Sequence, residues 1–143
     1  MKQINQRGWI LLLLAGGLLL SFLLALVQTG PGYMDAEYYT AGGLNLFDGH
    51  FGEEYYIWNY LAGLHSLPVP AFAYWMPLPA VLAGLGMLLT GSRTFAAARL
   101  IYSLGFALLP VCVYCLARRT PAVRLAGLAG LLALFPGVYI IYL

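Results

Sequence analysis

Charge is what this sequence has least of: only 8% of its 143 residues are Asp, Glu, Lys or Arg, against 62% hydrophobic residues. An average soluble domain carries roughly 25% charged residues, and a chain this apolar lacks the polar surface to cover a core facing water. That excludes one small soluble domain and fits a few membrane helices. Lys and Arg are absent from residue 8 to residue 92, yet Asp35, Glu37, Asp48, Glu53 and Glu54 all fall inside that stretch. Such a separation of signs reflects membrane topology rather than nucleic-acid binding. Acids and lysines are also missing from the apolar runs, so a transporter or channel pathway has little to be built from. Arg99, the one charge well inside an apolar stretch, can snorkel to the interface. Histidine is scarce, and His50 and His65 lie far apart with no ligand spacing around them. Cys112 and Cys115 are three apart, on one face of a helix; a dithiol or half a metal site fits that spacing, but in an apolar run small polarizable side chains ordinarily pack.

The residues that are present organise the chain. Lys2 and Arg7 precede an apolar run from Trp9 to Val27, long enough for a first transmembrane helix over residues 9–28. A cleaved signal peptide is the rival, but the run exceeds a signal core and Leu26-Val27-Gln28 is not a small-x-small cleavage site. Thr29-Gly30-Pro31-Gly32 marks a turn. Residues 34–47 then read as a short helix started by Asp35, with Tyr38, Tyr39, Gly42 and Leu46 on one face, lying along the bilayer surface. Asp48-Gly49-His50-Phe51-Gly52 ends it, and Pro68, Pro70, Pro77 and Pro79 keep much of the chain beyond that break irregular.

Residues 78–90 are apolar but too few to span unaided. If they do not cross, residues 95–117 form the second span, 118–121 a cytoplasmic turn, and Lys2, Arg7, Arg118, Arg119 and Arg124 share one side, as the positive-inside rule expects. Residues 78–90 are therefore expected as a second helix on or in the outer leaflet. The third span is expected from Ala122 to Leu143, truncated, with the small residues Ala126 and Gly130 offered to a neighbouring helix. The fold class is thus all-α membrane protein, with residues 1–8 cytoplasmic and an acidic loop, 29–94, outside. Its two juxtamembrane helices lie between the first two of three spans.

The acidic loop attracts cations or a cationic partner. Asp35, a few residues past the first span and beside Tyr38 and Tyr39, is either a helix N-cap or a general base toward a substrate entering from the lipid interface; the residues alone leave both open. Asp35 and Glu37, two apart, point about 200° away from each other on a helix, so they are no catalytic dyad. Glu53 and Glu54 are expected to be a solvated edge or a metal-tolerant surface rather than catalytic. Seven of the eleven tyrosines, with Trp58 and Trp75, fall between residues 33 and 75. An interfacial belt and sugar-stacking platforms explain these rings equally well.

The order of motifs resembles a known family. Asp35-Ala36-Glu37-Tyr38-Tyr39, followed by Ala41, Leu44, Leu46, Asp48-Gly49 and Phe51, is similar to the first outer loop of the GT-C superfamily of membrane glycosyltransferases, of the protein-mannosyltransferase and aminoarabinose-transferase kind. Trp58-Asn59-Tyr60-Leu61, Ala73-Tyr74-Trp75-Met76-Pro77-Leu78, Ala97-Ala98-Arg99-Leu100, Leu116-Ala117-Arg118-Arg119 and Phe135-Pro136-Gly137 come after it in the family's order. Val69 departs from it, standing between Pro68 and Pro70 where related loops often carry a histidine.

The resemblance implies an N-terminal part of an enzyme that moves a sugar from a polyprenyl-phosphate donor to an acceptor hydroxyl. The matching loop aspartate is Asp35, the implied catalytic residue; Glu37, Tyr38, Tyr39, Trp58, Tyr74 and Trp75 are the implied substrate-binding residues. Some members instead use loop acids to hold a divalent cation, and which of the two applies is not readable here; the cofactor is left open, a divalent cation being the one the resemblance allows, and no metal-ligating residue is named. The implied partners are the polyprenyl-phosphate-linked sugar, membrane lipids and other membrane subunits, with no nucleic acid, in the bacterial inner (plasma) membrane. Because the family binds lipid phosphate with later helices, the 143 residues alone are expected to be inactive. The alternative is a small helical accessory subunit of a membrane complex, without catalysis of its own.

Overall fold

The computed structural model describes residues 5–55, 67–73 and 75–135, which fall into two compact units. The first unit comprises Met1–Thr29 with Tyr102–Leu143, and the second is Gly30–Ile101.

In the first unit, helix α1 (Gln6–Val27) begins at Asn5, whose side-chain oxygen accepts the Gly8 N–H at 2.7 Å. This satisfies one of the free donors that every helix start leaves. Helix α5 (Leu100–Ala117) carries Pro110 inside it, and a 3-10 turn (Val123–Leu125) leads into the short α6 (Ala126–Leu132). α1 and α5 are each long and apolar enough to cross a membrane, and only 17% of each apolar window is buried. A helix in the core of a water-soluble protein would be mostly covered, and these two are not.

Small residues set the spacing. A Cβ on Gly17 would lie 2.7 Å from the Ala107 carbonyl oxygen, on Gly127 2.6 Å from the Trp9 ring, and on Gly130 2.6 Å from Leu13. Close approach through glycine is how helices associate where burial from water drives nothing. Leu13, Tyr114 and Ala126 form the buried centre, with the Trp9 and Tyr114 rings 6.2 Å apart.

In the second unit, α2 (Met34–Phe47) packs on α3 (Pro77–Thr90). A Cβ on Gly43 would stand 2.7 Å from both the Ala83 Cβ and the Gly84 nitrogen, so these backbones nearly touch. α3 opens with Pro77 at its first helical position, where a missing N–H costs nothing, and closes at Gly91 in the left-handed conformation (φ 64°). α4 (Phe95–Ala98) is capped by the Thr94 hydroxyl. Ala83, Met87, Ala97 and Ala98 form the core, with Leu44 and Phe47 against it. Beyond α2, a turn with Gly49 at φ 84° and Gly52 at φ 105° leads to β1 (Glu53–Glu54), antiparallel to β2 (Val69–Pro70), with Glu53 opposite Pro70 and Glu54 opposite Val69. Arg93 binds the Asp48 carboxylate at 2.6 Å and lies over the Phe47 ring, tying the end of α2 to the chain before α4.

Three expectations change. A second span from residue 95 is instead α4, then Arg99 outside the helix, then α5 from Leu100. A continuous helix from Ala122 is interrupted: a turn and a 3-10 segment precede α6, and Ala133 to Phe135 turn again, as suits a segment running into Pro136. The rest of that expected span lies outside the described residues. The small residues of α6 face α1 and α5 of this same chain, not a separate neighbour.

Candidate functional site

The residues of interest converge on the first two turns of α2, in the second unit. Tyr33 holds the N-cap position in extended conformation, and no side chain caps the helix. Asp35 is therefore not the N-cap it could have been. It lies inside the first turn, where a negative charge still complements the helix dipole. Asp35 is half-buried and, among the described residues, makes no side-chain hydrogen bond or ion pair. Its neighbour is Tyr39: burial, and then the Asp35 charge, raise the Tyr39 hydroxyl above its ordinary pKa.

Tyr38, one position earlier on the helix, faces inward and is 6% exposed. Its hydroxyl donates to Glu54 Oε1, and the same oxygen accepts the Phe72 N–H at 3.0 Å. The Phe72 N–H also lies 3.2 Å from the Tyr38 oxygen. Burial, then the bond to Glu54, push the Tyr38 pKa well above the ordinary tyrosine value. The anionic phenolate would have to form in a dry site beside a carboxylate. Four rings meet here. Tyr38 touches Tyr39 edge-on with centroids 5.4 Å apart, Trp75 at 6.0 Å and Phe72 at 6.2 Å; Tyr39 meets Trp75 at 6.2 Å and 90°. Trp75 Nε1 is buried without a hydrogen-bond partner among the described residues.

The expectation of a solvated edge at Glu53 and Glu54 fails for Glu54, which is only 5% exposed. Successive side chains of a strand point to opposite faces. Glu53 therefore turns outward to Tyr55 and His50 while Glu54 turns in to Tyr38. Asn45 fixes the same strand by donating to the Glu53 carbonyl at 2.7 Å. The crevice lined by Tyr38, Gly42, Asn45, Gly52, Glu53, Glu54, Ala71 and Phe72 is too tight for a water molecule, so it is packing rather than a substrate cavity.

Of the residues expected to bind substrate, Tyr38, Tyr39 and Trp75 are brought together, with Asp35 next to Tyr39. Glu37 is exposed on another face of the helix. Trp58 and Tyr74 lie outside the described residues. No group of three or more His, Cys, Asp or Glu among the described residues is placed to hold a metal ion, so a cation held by loop acids has no donor set there. Cys112 and Cys115 are free thiols on the exposed side of α5.

No protein-family model, curated protein or solved structure matches the chain.

Proposed function

We propose that the chain is the N-terminal part of an integral-membrane glycosyltransferase of the GT-C kind, working on a polyprenyl-phosphate sugar at the outer membrane face. The observation that carries this reading is a half-exposed carboxylate without a cationic partner, Asp35, set against an aromatic wall of Tyr39 and Trp75. A sugar ring has apolar C–H faces and polar edges. An aromatic face can therefore take one side of it while a carboxylate takes a hydroxyl. In this role Asp35 removes the proton of the acceptor hydroxyl, the freed oxygen attacks the anomeric carbon, and the lipid phosphate departs with the bonding electrons. Two apolar helices flanking the loop in sequence, α1 and α5, support a membrane setting for that chemistry. The acids between them, with no basic residue before Arg93, support placing the loop outside.

The Asp35 side chain makes no hydrogen bond among the described residues, so its loss largely separates chemistry from stability. In the full-length protein, Asp35→Asn is expected to abolish sugar transfer while helical content is kept and stability falls by no more than the roughly 0.3–1 kcal/mol of a first-turn charge. Transfer that survives the substitution removes the assignment.

A further inference from the structure

We infer that Glu54 is the positioning residue of the aromatic wall beside Asp35, holding Tyr38 and the Phe72 backbone so that Tyr39 and Trp75 keep their places.

Four observations converge on it. Glu54 is a carboxylate buried at 5% exposure, reached from β1 of a two-residue strand pair too short to be stable by itself. One of its oxygens accepts from two partners that are distant in sequence, the Tyr38 hydroxyl on α2 and the Phe72 amide after β2. Phe72 sits at φ 62°, a conformation that side-chain-bearing residues rarely adopt and that persists only where surrounding contacts impose it. That conformation aims the Phe72 N–H at Glu54, and its ring is packed against Phe51 at 5.1 Å. Three residues on, Trp75 reaches the rings of Tyr38 and Tyr39. Its indole N–H is buried unpaired, which favours swinging the ring out to water. Among the described residues the wall is therefore not held by a hydrogen bond of the Trp75 indole. Glu54 makes directed bonds on either side of it, to the helix carrying Tyr38 and Tyr39 and to the segment leading to Trp75.

The purpose assigned to the wall rests on the glycosyl-transfer reading, but its geometry does not. The test uses the near-ultraviolet circular dichroism of the detergent-solubilised protein, taking the Trp75 contribution as wild type minus Trp75→Phe. Glu54→Gln keeps a carbonyl acceptor in the same shape and is expected to retain that band. Glu54→Leu removes the acceptor and is expected to lose most of it with far-ultraviolet helix content unchanged. The inference is overturned if Glu54→Leu retains the band, or if Glu54→Gln loses it as completely as Glu54→Leu. Should leucine unfold the chain, Tyr38→Phe is read in its place, and a wild-type band there overturns the inference equally. Quenching of Trp75 fluorescence by a short-chain prenyl-phosphate hexose is read in parallel on the full-length wild-type protein, which includes the later helices that the reading needs for the lipid phosphate. If the full-length protein does not bind that probe, the glycosyltransferase reading is lost while the positioning result stands on the dichroism alone.

Discussion

In the unit of α1, α5 and α6, glycine decides how near the helices come. Gly17 lies against the Ala107 backbone, Gly127 under Trp9, and Gly130 against Leu13, while the Ser21 hydroxyl reaches the Ser103 carbonyl at 3.2 Å. Leu11, Leu19, Leu26 and Leu116 on these helices stay exposed. In the unit from Gly30 to Ile101 glycine again lets α2 and α3 touch, but the connections between elements are polar and directed: Tyr38 to Glu54, Phe72 to Glu54, Asn45 to the Glu53 carbonyl, Arg93 to Asp48. The first unit is held by close van der Waals contact through its glycines, with many of its leucines left exposed. The second adds directed polar bonds that anchor its irregular segments, two of them onto the buried Glu54 carboxylate.

The comparison is broken most forcefully at Gly17. Gly17→Val puts methyl groups where the Ala107 backbone already lies, and such overpacking is expected to cost about 3 kcal/mol. Thermal unfolding followed by far-ultraviolet dichroism in micelles measures it; a neutral result would mean that glycine does not set the spacing of the first unit. Next in size is Glu54→Ala, which strands the Tyr38 hydroxyl and the Phe72 amide and is expected to cost about 2 kcal/mol by the same measurement. A smaller effect is read in alkali. Because the Tyr38 pKa is raised on folding, its contribution is fully present below the ordinary tyrosine value of about 10 and is lost as pH rises through the higher folded value. The midpoint of the wild type should therefore fall more steeply above pH ~10 than that of Tyr38→Phe. Equal slopes would show that burial of this hydroxyl adds nothing to the second unit. Smallest is Arg93→Ala: the guanidinium side is 66% exposed, and removing such a pair is expected to shift stability by about 0.5 kcal/mol or less, with most of that gone in high salt.

Some of this is legible directly in the sequence. The spacing of Tyr38, Tyr39, Gly42 and Leu46 marks a helix, since that signal is local; Pro77 and Pro79, expected to keep the chain irregular, instead stand in the first turn of α3, where a missing N–H costs nothing. The burial of Glu54 is not legible there. Two adjacent acids in a polar loop look like a solvated edge, and a strand of two residues is too short for alternation to register. Phe72 is equally hidden, because an ordinary phenylalanine carries no mark of a positive φ. The start of α2 falls near Asp35 as its sequence suggests, but Tyr33 takes the cap, a difference within the one or two residues by which helix ends are uncertain.

By itself the sequence determined the apolar lengths of α1 and α5 and the gathering of acids between them, because these depend on composition and order alone. Tertiary structure alone decided which acid is buried, which tyrosine hydroxyl is used in holding the fold, and which rings meet beside Asp35. Those depend on contacts between residues as far apart as Tyr38 and Phe72, and a side chain's solvation is fixed by what folds over it rather than by its neighbours along the chain.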